Sequence, residues 1–194
     1  MKVVGFVGMP GCGKSEAADV ARSMGIPVVI MGDVVRKEVR STGLEIVPET
    51  LRKAMIEMRR KYGKGVVAER CLPLVRALST HKMVAIDGIR SPEEIDVFRR
   101  EFPGFFVIAI HSSPRTRFRR LQDRRRGDDP DTWKQFCERD NIELSVGIGG
   151  AIALADAVVS NEGNQPVFRK NVKRILLEVA TNDQSTRGSA SLPH

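Results

Sequence analysis

Val3-Val4-Gly5-Phe6-Val7, then Gly8-Met9-Pro10-Gly11-Cys12-Gly13-Lys14-Ser15, then a helix-compatible run from Glu16 onward decide the fold of this chain. The middle segment satisfies G-x-x-x-x-G-K-[ST] in the context the motif requires, a buried strand before it and a helix after it. Glycines let the backbone turn tightly enough to aim successive N–H groups inward. That makes a nest for phosphate oxygens at a helix N-terminus, where the dipole favours anions. Gly8, Met9, Pro10, Gly11, Cys12, Gly13, Lys14 and Ser15 are therefore the candidate triphosphate contacts. Lys14 is placed to reach between the β- and γ-phosphates, and the Ser15 hydroxyl to ligate Mg²⁺. The plain alternative is a chance Gly-rich turn between strand and helix, and the presence of all three parts argues against it.

Outward from this loop, apolar strands alternate with helical segments. Further strands are predicted at 26–30, 83–86, 105–110 and 155–160. Helices are predicted over 16–24, stopped by Gly25, and again from about 31. The helical region 48–78 is interrupted near Gly63 and Gly65. Ser91 is placed as an N-cap, with Pro92 and Glu93-Glu94 in the first turn of a helix to 101. Two more helices cover 132–143 and 167–180. This alternation predicts an α/β fold in three layers, a parallel five-stranded sheet with helices on both faces. Ligands in such folds bind beyond the carboxyl ends of the strands. Gly8, Asp33, Asp87, the arginines after Ile110, and Asn161 all fall there. Asp87, at the end of the third apolar run, stands where a second Mg²⁺ ligand is needed, although an Asp in that place can also merely cap a turn.

Composition bounds the rest. The chain has 194 residues, a charged content of 29% and a hydrophobic content of 41%, which suits one soluble domain over 1–180 with a polar, disordered tail over 181–194. No apolar run approaches membrane-spanning length and no signal peptide is read, so a cytoplasmic location is expected. Cys12, Cys71 and Cys137 lack metal-ligand spacing and fit a reducing compartment. His81, His111 and His194 have no catalytic spacing. The net charge of +8 suits either nucleic acid or a phosphorylated small molecule. Arg115, Arg117, Arg119, Arg120, Arg124, Arg125 and Arg126 crowd one segment while aromatics are only 5% of the chain, too few for base-stacking platforms. Nucleic acid is therefore possible but not favoured. Arg115, Arg117, Arg119 and Arg125 also read as a solvated helix face.

Several of these stretches resemble the nucleoside monophosphate kinases, adenylate kinases above all. The loop 8–15 is similar to theirs, and Gly32-Asp33-Val34-Val35-Arg36 to their Gly-Asp-x-x-Arg acceptor motif. Asp87-Gly88-Ile89-Arg90 looks like a shortened Asp-Gly-x-Pro-Arg. Arg120-Leu-Gln-Asp-Arg124 and Arg126-Gly127-Asp128-Asp129 with Arg139 resemble the arginine groups that open and close their lid. The nearest resemblance is to archaeal adenylate-kinase-related proteins, also compared with dephospho-CoA kinases. It implies strand order 2-3-1-4-5, an acceptor-binding region at 31–80 and a short lid at 112–131. It further implies Mg²⁺ and ATP as cofactor and co-substrate, and a monomer or homodimer. Asp33, Arg36, Gly88 and Arg90 would meet the acceptor, and Lys14, Arg120, Arg124, Arg126 and Arg139 would stabilise the phosphoryl group in flight. Arg120 and Asn161 would meet ATP, Asn161 mainly through backbone near the base. Departures leave the acceptor open between AMP, another monophosphate and dephospho-CoA. Met31 replaces a hydroxyl residue, Asp-Gly-Ile-Arg lacks Pro, the base-reading Gln is missing, and the lid insertion is short. A nucleotide-binding regulator or RNA-associated ATPase is the reading from another class.

Overall fold

The structure, a computed structural model, describes residues 1–127 and 129–181 of the chain. Asp128 and the tail beyond Thr181 lie outside the described residues.

Strand β1 (Lys2–Val7) occupies the centre of the sheet, and Val3, Val4, Phe6 and Val7 are all buried, as a strand covered on both faces requires. It pairs in parallel with β3 (Met83–Ile89) and β4 (Phe106–His111). Outside these lie β2 (Val28–Ile30) against β3 and β5 (Ala157–Ser160) against β4. The order is β2-β3-β1-β4-β5, the one the resemblance implies.

Alternation along β1 divides the core. Val4 and Phe6 face the side covered by α1 (Lys14–Ser23) and α9 (Gln165–Thr181), through Ala17, Val20, Ala21, Phe168, Val172 and Leu176. Val3 and Val7 face the other side. There α2 (Met31–Ser41), α3 (Pro48–Tyr62), α4 (Val66–Arg76), α5 (Pro92–Glu101) and α8 (Ile148–Ala153) close the second layer. Between β4 and α8 the chain makes α6 (Pro114–Arg124) and α7 (Trp133–Val146). Local chemistry sets these ends. The Ser91 hydroxyl accepts from the Glu94 N–H at the start of α5, Ser113 does the same for α6, and Thr132 with Gln135 forms a capping box on α7. No helix among the described residues is long and apolar enough to cross a membrane.

Four elements differ from the sequence reading. β3 does not stop at Ile86 but runs through Asp87 and Gly88 to Ile89, because the register shifts between Phe6 and Val7 and brings Val7 opposite Ile89. Helix α8 was not predicted: Ile-Gly-Gly-Ala-Ile-Ala carries no polar face, and burial of Ile148 and Ala151 defines it instead. The segment read as a short lid opens with the regular helix α6. Thr181, read as the start of the tail, is the last residue of α9.

Candidate active site

Residues 8–13 turn between β1 and α1, with Gly11 at φ 79° and Gly13 at φ 106° in the left-handed region that glycine adopts without cost. Space forbids a side chain as firmly as conformation does. A Cβ on Gly13 would stand 2.2 Å from Asn161 Nδ2, and one on Gly8 2.4 Å from the Ile110 carbonyl oxygen. The Lys14 ammonium folds over the loop and donates to the carbonyls of Gly8 (2.5 Å) and Met9 (3.3 Å). Ser15 lies exposed in the first turn of α1.

The ends of β4 and β5 supply a second wall. Asn161 is buried, and its side-chain N–H donates to the Cys12 carbonyl at 2.9 Å. The Ser112 hydroxyl donates to the Asn161 carbonyl at 2.6 Å. Arg120 reaches Ser112 Oγ at 3.0 Å and Asn161 Oδ1 at 3.4 Å. Asn161 thus spends its side chain holding the loop. Arg117, for which a solvated helix face is one of the two readings from sequence, is only 4% exposed. Its guanidinium forks onto Asp140 of α7 (2.8 and 2.6 Å), lies over the Phe136 ring (4.8 Å), and donates to the carbonyls of Pro10 and Ser112, each at 3.2 Å. The signal that could have found it is Leu121, one turn further on α6 and fully buried, which marks the inward face that Arg117 shares.

The arginines of α6 and α7 converge on one carboxylate. Asp129 accepts both ends of the Arg124 fork (2.9 and 2.5 Å), the Arg139 guanidinium (3.2 Å) and the Arg126 backbone N–H (2.9 Å). Burial works to raise the Asp129 carboxyl, but the hydrogen bonds from Arg124 and Arg126 outweigh it and hold it below the usual carboxylate range. Arg124 and Arg139 are thereby gathered to one place, while Arg126 joins them through its backbone.

On the other side of β1, Asp87 is in register with Phe6 of β1 and Ile30 of β2. Burial pushes its carboxyl up, against the pull of Lys14, Arg22 and Arg90. Its Oδ1 atom is buried and has no hydrogen-bond partner among the described residues. A buried carboxylate oxygen without a partner at Asp87 and an exposed hydroxyl at Ser15 form a hard, oxygen-only pair of donors. That pair fits Mg²⁺ shared with a bound triphosphate. Among the described residues no three His, Cys, Asp or Glu side chains group as a self-sufficient metal site, and Mg²⁺ of this kind needs none. Gly88, at φ 109°, brings the end of β3 to within 3.5 Å of Met31 Cβ, measured from a Cβ built on it.

Beyond Gly88, Arg90 is partly exposed and donates to Glu143 Oε1 of α7 at 2.9 Å. The Arg90 N–H donates to Glu94, whose other oxygen accepts from Arg59 of α3 at 2.5 Å. Glu94 is buried, and burial pushes its carboxyl up despite Arg59. Arg36 pairs with Asp33 one turn earlier on α2, so those two predicted acceptor residues meet each other. Sequence reasoning missed Arg59, Glu94 and Glu143. Their partners lie 35 and 53 residues away, where no local pattern announces a contact.

A family model described as an AAA domain matches residues 7–136. The UPF0200 protein of Methanothermobacter thermautotrophicus is 44% identical over 189 residues, 97% of this chain and 96% of that protein. The UPF0200 protein of Pyrococcus horikoshii is 41% identical, over 93% of this chain and 98% of its own. Among solved structures, TT1252 from Thermus thermophilus superposes with a TM-score of 0.60 at 18% identity, covering 91% of this chain and 97% of that one. A dephospho-CoA kinase from Campylobacter jejuni gives 0.59 at 14%, covering 93% and 98%. A gluconokinase from Sinorhizobium meliloti gives 0.57 at 16%, covering 92% and 93%. At these identities the likeness is one of fold, and the fold is that of phosphate-loop kinases.

Proposed function

The chain belongs to the UPF0200 protein family, and from its site we propose that it is a Mg-ATP-dependent phosphotransferase acting on a nucleotide-like small-molecule acceptor, first of all a nucleoside monophosphate such as AMP. One observation carries this reading. The loop of Gly8 to Ser15 lies at the end of β1, and the adjacent β3 carries Asp87 near its end and is followed directly by Arg90, so a triphosphate cradle and a guanidinium suited to an acceptor's anion lie at neighbouring strand ends.

Gly8 to Gly13 would cradle the donor's phosphates, and Lys14 would exchange the Gly8 and Met9 carbonyls for their oxygens. Arg120, Arg124, Arg126 and Arg139 would neutralise charge on the transferring group. Asp33 would orient Arg36, and Arg36 and Arg90 would hold the acceptor beside Gly88. Mg²⁺ held by Ser15 and Asp87 would neutralise charge on the donor's phosphate oxygens. Rate enhancement then comes from positioning and fixed charge, with no obligatory protein base. The roles of the individual residues, the cytoplasmic location and a monomeric or homodimeric state belong to this proposal.

Dephospho-CoA is the second reading for the acceptor. It is favoured by Glu143, which places a carboxylate on Arg90 where a simple phosphate dianion would want the guanidinium to itself, and by the departures from the adenylate-kinase motifs. Coupled measurement of ADP release over a panel of monophosphates and dephospho-CoA tests both. Acceptor-stimulated turnover is expected with one member of the panel. Arg90→Ala should raise the KM for that acceptor by about tenfold or more while ADP affinity is unchanged. Folded protein without acceptor-stimulated turnover contradicts the proposal, and salt-sensitive RNA binding in its place would favour an RNA-associated ATPase.

A further inference from the structure

We propose that Arg117 is a positioning residue that sets the shape of the phosphate loop, by holding the Pro10 carbonyl outward while it is itself locked by Asp140. The inference rests on the reading of residues 8–15 as a nucleotide cradle and assigns the cause of the cradle's shape.

In a trans peptide the C=O and the following N–H point in opposite directions. A donor that draws the Pro10 carbonyl to one side therefore aims the Gly11 N–H to the other. The Cys12 carbonyl is drawn out in the same way by Asn161, at 2.9 Å, which aims the Gly13 N–H. Two carbonyls in alternate positions are thus pinned on the protein side, by Arg117 and Asn161, and the two N–H groups that follow them face away from their anchors. Inward-facing N–H groups are what an anion nest consists of.

Arg117 suits this task where a lysine would not. Four hydrogen bonds leave its fork, to Ser112 O, Pro10 O and both oxygens of Asp140. The Phe136 ring fixes the guanidinium plane, which is 4.8 Å from the ring centroid. The packing is close on the loop side too, for a Cβ on Gly11 would stand 2.9 Å from the Arg117 carbonyl oxygen. Asp140 follows Arg139 directly on α7, so the same fork ties the loop to the helix that carries one of the gathered arginines.

A buried ion pair can often be replaced by apolar residues with little loss of stability. That replacement separates a structural role from a positioning one, because no apolar pair can hold the Pro10 carbonyl. ADP affinity and thermal midpoint are measured for wild type, Arg117→Lys, Asp140→Asn and the double variant Arg117→Met with Asp140→Leu. Arg117→Lys and the double variant should bind ADP about tenfold or more weakly, the double variant with a thermal midpoint near wild type. Asp140→Asn, which keeps the bond to Pro10, should lose stability but less affinity than Arg117→Lys. With ADP bound, hydrogen exchange at the Gly11 amide should quicken wherever Arg117 is replaced. Wild-type ADP affinity in the double variant or in Arg117→Lys overturns the inference alone. Wild-type protein that binds no ADP overturns it together with the kinase reading.

Discussion

Among the described residues Lys14 has no carboxylate partner and rests on the carbonyls of Gly8 and Met9, a set of partners that phosphate oxygens can replace without leaving a buried charge behind. Lys14→Ala should therefore keep the fold and lower turnover by about a hundredfold to a thousandfold, the loss typical of one removed transition-state donor. Circular dichroism alongside steady-state kinetics checks both halves. Asp129 makes a different kind of prediction. Its carboxyl is held below the usual range in the folded protein, so the stability it contributes is complete above about pH 4 and is lost as pH falls through its folded value. Thermal midpoints followed downward from about pH 6 should fall less steeply in Asp129→Asn than in wild type. At this scale the sequence showed the loop residues clearly, because their chemistry depends on spelling. It hid Arg117, whose surroundings in the chain are the same as those of the exposed Arg115 and Arg119. Only its shared face with Leu121 distinguishes it.

Elements were legible where burial on both faces writes a continuous apolar run, as in β1 and β4, and where a cap such as Ser91 marks a helix start. The end of β3 was not, since Asp87-Gly88 has the composition of a turn and only the register shift against β1 keeps it in the sheet. Nor was α8, which lacks a polar face. Contacts between elements are the least legible of all, and the link from α3 to α5 shows why they matter. Glu94 is fully buried and depends on Arg59, whose side chain is 11% exposed. Arg59→Ala leaves that carboxylate without its charge partner and should cost about 3–5 kcal/mol in urea denaturation, whereas replacing both residues by apolar ones of similar volume should cost far less. Because Glu94 also accepts from the Arg90 N–H, the single change should disturb the proposed acceptor side before it disturbs the loop.

Across the whole molecule, the sheet order places the cradle on the central strand, with β3 and Arg90 to one side and β4 and β5, with Arg120 and Asn161, to the other. The donor and acceptor halves of the proposed site are thus separated by a single strand, and the helices α6 and α7 join them. Arg117 and Asp140 bind these helices to the loop, Glu143 binds α7 to Arg90, and Asp129 gathers Arg124 and Arg139 between. Part of the net charge of +8 acquires a location in this arrangement, since α6 carries Arg115, Arg117, Arg119, Arg120 and Arg124 against the single carboxylate of Asp123. The fold class and strand order were readable from the alternation of strands and helices and from the resemblance. The identity of the acceptor was not, because the surroundings of Arg90, its bonds to Glu94 and Glu143, form only in three dimensions. In the proposed reaction a phosphoryl group passes from ATP to a small molecule held opposite Lys14. Its most direct test is the fate of γ-labelled phosphate in wild-type protein given Mg-ATP and the acceptor panel. The expected result is label in one acceptor in equal amount to the ADP formed, with the rate lowered by about a hundredfold or more in Lys14→Ala. Label released only as inorganic phosphate, at a rate indifferent to every acceptor, would contradict it.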